Sequence, residues 1–119
     1  MWTYSQSTGA LICSGQADTA YSGHGAGLDD PADQSVPDVG PIPQGLWTIG
    51  AWHDDPDLGP VVAALTPAPE TDTFGRSGFF CHGDNAALDH SGSHGCIVAA
   101  RNVREAMRDS GDTALTVTA

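Results

Sequence analysis

Glycine and proline interrupt this chain too often for a helical bundle: 15 glycines and 8 prolines fall within 119 residues. Proline removes a backbone donor and glycine favours turns, so a turn-rich, mainly β domain is expected. The length allows one core and no second, and residues 1–119 are read as a single domain. One helix is legible, from about Ala99 to Asp109, with Val103, Ala106 and Met107 on one face and Gly111 as its stop. Arg101, Arg104 and Arg108 recur at helical spacing and are expected to form a stripe facing away from the core.

Strand signals fill much of the rest. Residues 2–13 read as a hairpin whose first arm sets Trp2, Tyr4 and Gln6 on one face and whose turn is Ser7-Thr8-Gly9. From Ser14 to Gly40 the composition turns to Gly, Ser, Asp and Pro, which predicts a long ordered loop of functional character. Further strands are expected over 46–52, 61–65 and 113–118, with an acidic turn at Asp54-Asp55-Pro56-Asp57. Gly78-Phe79-Phe80-Cys81-His82 reads as an apolar strand with Phe80 and His82 on one face and Phe79 and Cys81 on the other.

Charge excludes whole classes of partner. Fifteen acidic residues face four arginines and no lysine, a net charge of -11. Such a chain cannot displace counterions from a nucleic acid and is repelled by anionic lipid surfaces. No apolar run reaches the ~20 residues that span a bilayer, and no signal peptide is legible at the start. All four arginines lie within residues 76–119, so a substrate carboxylate would meet its cations there.

The chemistry concentrates in His82-Gly83-Asp84 and, after a short loop, Ser93-His94-Gly95-Cys96-Ile97. A cysteine nucleophile needs a neighbour that raises its thiolate fraction, and histidine is the usual one. A His ending one strand and a Cys opening another can meet across a sheet. Glycine before the Cys lets backbone approach a substrate carbonyl, and the amides of Gly95 and Cys96 could face a developing oxyanion.

This stretch resembles the catalytic motif of L,D-transpeptidases, and the chain as a whole is similar to the type VI secretion L,D-transpeptidase effector family. The likeness is carried by Gly75-Arg76-Ser77-Gly78-Phe79, His82-Gly83-Asp84 and Ser93-His94-Gly95-Cys96. Upstream, Trp2, Tyr4, Gly9, Tyr21-Ser22-Gly23 and Gly40-Pro41-Ile42-Pro43-Gln44-Gly45 extend it. The resemblance implies a β-rich, sandwich-like L,D-transpeptidase domain with one helix in its C-terminal third. It implies Cys96 as nucleophile, His82 as general base with the Gly83 carbonyl or a nearby group holding the imidazole, and Ser93, His94 and Asp84 shaping the pocket. L,D-transpeptidases place an Arg soon after the Cys; Ile97-Val98 follows here, which leaves Arg76 or Arg101 to meet a substrate carboxylate. The implied reaction cleaves the terminal D-alanine from peptidoglycan tetrapeptide stems without a cofactor. The implied setting is a competitor's periplasm, reached without a signal peptide, with a cognate immunity protein in the producer.

Rival readings exist. A housekeeping L,D-transpeptidase would crosslink the producer's own wall, and a non-catalytic module would use Cys96 structurally. A zinc site of His82, Asp84, His94 and Cys96 has suitable ligands but a spacing that matches no common motif. His24, His53 and His90 read as solvated loop residues, with His24 able to border the cleft. Cys81 faces away from His82 and reads as a core thiol that could bond Cys13 under oxidising conditions, leaving Cys96 as the odd reactive one.

Overall fold

A computed structural model describes residues 1–13, 15–23, 27–37, 39–56, 58–83 and 95–119. Ten strands and one α-helix occur among them: β1 (Trp2–Ser5), β2 (Ala10–Cys13), β3 (Gln16–Thr19), β4 (Tyr21–Ser22), β5 (Gly45–Ile49), β6 (His53–Asp55), β7 (Gly59–Pro67), β8 (Phe80–His82), β9 (Ile97–Val98), α1 (Arg101–Ser110) and β10 (Ala114–Thr118). The domain is mainly β with its helix in the C-terminal third, as the glycine and proline content dictates.

The strands form one path, β3-β2-β1-β10-β5-β7-β8-β9-β4, with β6 added beside β7. β3 and β4 stand at opposite ends of that order, yet only Ala20 separates them in sequence. The chain therefore steps from one end of the sheet to the other, which curls it almost into a barrel. The Ala20 amide donates to the Gly9 carbonyl at 2.8 Å and secures this corner. β1 lies parallel to β10, Trp2 opposite Leu115, and β8 lies parallel to β9; the other neighbours are antiparallel.

The core follows the alternation of the strands. Trp2, Tyr4 and Gln6 all point inward and are buried, with Leu11, Trp47, Ile49, Ile97 and Leu115 around them. Trp47 meets Phe79 edge to face, centroids 4.9 Å apart, and its indole N–H donates to the Pro43 carbonyl. Val103 and Met107 bring α1 onto the sheet, and Gly111, left-handed at φ 68, ends it.

The structure corrects three expectations. The stretch from 14 to 40 holds β3, β4 and a short 3-10 turn over Pro31–Asp33, because sheet edges recruit polar sequence that has no strand signature of its own. Asp54 and Asp55 lie in β6, and their carboxylates accept the Val61 and Leu58 amides. Arg104 is not part of an outward stripe but is buried on the core face with Val103 and Met107, while Arg101 and Arg108 are exposed. Its guanidinium donates to the carbonyls of Pro60 (2.6 Å), Val61 (2.9 Å) and Ala99 (3.1 Å).

Those contacts explain why a cation is buried there. Opposite Asp54, β7 carries one extra residue, and Val61 sits in that bulge at φ 55, a conformation β-branched residues rarely take. The displaced carbonyls of Pro60 and Val61 need donors, and Arg104 supplies them. Arg104→Leu is expected to destabilise the domain by about 2–4 kcal/mol, read from urea unfolding, since it leaves buried carbonyls unsatisfied.

Candidate functional site

The parallel pairing of β8 with β9 builds the site. Cys81 stands opposite Ile97 and His82 opposite Val98. Cys81 and Ile97 fill the core at 0 % exposure, so Phe80, His82 and, one residue before β9, Cys96 belong to the other face. Strand spacing and rise place the Cα atoms of His82 and Cys96 on a diagonal of about 8 Å, within reach of an imidazole and a thiol.

His82 is buried and oriented. Its Nδ1 lies 2.6 Å from the Gly83 carbonyl. A carbonyl only accepts, so Nδ1 carries the hydrogen and Nε2 is the basic nitrogen of the neutral ring. The half-buried Cys96 thiol donates to the Gly78 carbonyl at 3.7 Å. Burial pushes this thiol up, and the facing Phe80 amide together with the Arg76 charge pulls the other way.

Each glycine of the motif rests on a buried guanidinium. A Cβ at Gly95 would overlap Nη2 of Arg76, and one at Gly83 would come within 2.8 Å of Nη2 of Arg104. Gly95 also holds φ 121, open to glycine and costly for other residues. Arg76 donates to the carbonyls of Gln34 (2.5 Å), Pro41 (2.8 Å) and Gly40 (2.9 Å) and lies over the Phe79 ring. So held, it ties the residue 34–41 segment to the turn that presents Cys96. A substrate carboxylate reaching Arg76 would compete with those carbonyls.

The Gln34 side chain continues the brace. Its Oε1 accepts from Gln6 Nε2 and the Gln44 amide, while Gln6 also donates to the Ile42 carbonyl and accepts from Gln44. Ser22, on β4 beside β9, has its hydroxyl between the Ile42 amide and the Gly95 carbonyl. Ser22, Gln34 and Arg104 escape a reading of residue spacing, because only the fold brings them to the motif; Tyr21-Ser22-Gly23 was the one signal pointing at Ser22.

Other candidates are placed differently. Arg101 is exposed on the first helical turn and pairs with Glu105 at 3.6 Å. His53 is exposed on β6 against the Ala51 carbonyl and Asp55. Asp84, Ser93, His94, His24 and His90 lie outside the described residues, as does part of the zinc alternative. Among the described residues, no group of three or more His, Cys, Asp or Glu side chains could hold a metal. Nor is any helix there long and apolar enough to cross a membrane.

Cys13, Cys81 and Cys96 are all thiols, so the Cys13–Cys81 bond is not formed. Cys81 is fully buried and pushed up to about 12 from the ordinary 9.0 by burial. Between those values the unfolded thiol ionises while the folded one stays neutral, so folding stability falls as pH rises through that window. Urea midpoints measured across it are expected to drop less steeply in Cys81→Ala than in wild type.

Comparison with known proteins adds one positive finding. A family model described as the Tlde1 domain matches residues 16–117. No curated protein and no solved structure matches the chain.

Proposed function

The chain belongs to the Tlde1 domain family, type VI secretion effectors of L,D-transpeptidase-like type, and from that membership we propose that it is a cysteine acyltransferase acting on peptidoglycan tetrapeptide stems. The reading is supported by the β8–β9 pairing, which brings His82, at the end of β8, beside the strand that Cys96 immediately precedes.

In the proposed reaction Nε2 of His82 takes the Cys96 proton, and the thiolate adds to the carbonyl of the third stem residue. The carbonyl electron pair moves onto oxygen, where the Gly95 and Cys96 amides stabilise it. Collapse breaks the peptide bond, His82 returns the proton to the departing D-alanine amine, and a thioester remains on Cys96. Water then gives an L,D-carboxypeptidase product, a free D-amino acid gives exchange, and a second stem gives a crosslink. Ser93, His94 and Asp84 are proposed to shape the pocket, with Arg76 beneath the nucleophile turn.

Family membership supports delivery by type VI secretion into a target cell, action in its periplasm and a cognate immunity protein in the producer. The test is incubation with purified tetrapeptide muropeptides, following D-alanine by mass spectrometry. Release of one D-alanine per stem is expected, and intact stems after prolonged incubation would sink the proposal.

A further inference from the structure

The Ser22 hydroxyl is fully buried and makes two bonds with distinct roles. It accepts from the Ile42 amide at 2.8 Å, which leaves its single hydrogen for the Gly95 carbonyl at 3.3 Å. Ser22 is itself fixed: its amide donates to the Asp29 carboxylate at 3.1 Å, its carbonyl accepts the Asp29 amide at 2.9 Å, and it stands opposite Ile97 in the β4–β9 pair.

The Gly95–Cys96 peptide bond is trans, so its C=O and N–H point in opposite directions. A carbonyl aimed at buried Ser22 therefore aims the Cys96 N–H away from it. On a second side the Arg76 guanidinium occupies the place a Gly95 Cβ would take, so only glycine fits before Cys96. We infer that Ser22 is a positioning residue that sets the direction of the Gly95–Cys96 peptide and so holds the Cys96 amide as the oxyanion donor. The inference rests on Cys96 being the nucleophile of the proposed reaction.

Two probes of the same thiol separate this role from simple support of the fold. With p-nitrophenyl acetate the thiolate adds to the ester carbonyl, an oxyanion forms, and collapse breaks the C–O bond to release p-nitrophenolate. With iodoacetamide the thiolate displaces iodide at a saturated carbon and no oxyanion forms. Both rates are read at the Cys96 peptide by mass spectrometry, and their ratio within one sample cancels partial loss of folded protein.

Ser22→Ala is expected to lower acylation about 10- to 100-fold while alkylation stays within about twofold. Ser22→Cys fills the same space with a weaker donor and is expected to lower the ratio by a smaller factor. If both rates fall together, or if either variant keeps the wild-type ratio, the inference is overturned. Should Ser22→Ala not fold, the ratio in Ser22→Cys decides alone. A wild-type Cys96 that takes neither probe removes the nucleophile reading, and this inference with it. Muropeptides left intact by a protein that takes both probes count against the substrate alone.

Discussion

Cys96→Ala is expected to reduce D-alanine release from tetrapeptide stems to the uncatalysed background, a loss of at least about 10⁴-fold, as for removal of other covalent nucleophiles. The other two thiols serve as controls. Cys81 points into the core, buried and held protonated, on the face opposite His82. Cys13 is half-buried with its Sγ 3.9 Å from the Asp112 carboxylate. Cys13→Ala should keep wild-type release, and iodoacetamide should modify Cys96 faster than Cys81. A Cys96→Ala protein with the wild-type product profile would falsify the catalytic assignment whatever the family.

The second large effect belongs to His82. His82→Ala should lower D-alanine release about 10²- to 10⁴-fold at neutral pH, the range for loss of a positioned general base. The pH profile distinguishes lost proton transfer from a damaged fold. Burial holds the Cys96 thiol above its ordinary value of 9.0, so without the imidazole little thiolate forms at neutral pH. Alkylation of Cys96 in His82→Ala should be slow there and rise with pH as the thiol ionises unaided, while the wild-type profile is flatter. Equal profiles in the two proteins would show that His82 does not govern the thiol.

Local pattern and tertiary necessity divide what the sequence revealed. The hairpin of residues 2–13, the strand ending at His82 and the helix stopped by Gly111 were legible, because each rests on alternation or a turn residue within a few positions. Cys96 and His82 stood out for a similar reason: a thiol and an imidazole beside glycines is a conspicuous local pattern. Arg104 was misread because helical spacing gives its angle on α1 and not the bulge at Val61 whose carbonyls it serves. β3 and β4 were hidden because Gln-Ala-Asp-Thr and Tyr-Ser show no apolar alternation of their own and are extended by their neighbours. The brace of buried Gln6 with Gln34 and Gln44 joins residues far apart in sequence, which no window of the chain displays together.

β10 comes last among the strands but lies in the interior of the sheet, between β1 and β5. On a ribosome, a nascent chain short of residues 114–118 holds the β1–β2 hairpin and the β5–β8 block without the strand that joins them. The scaffold under Cys96 is thus completed only when nearly all of the domain has been synthesised. Refolding from a denatured chain must also bring Trp2 beside Leu115, a closure so long-range that it places this domain among the slow folders, on the scale of milliseconds to seconds.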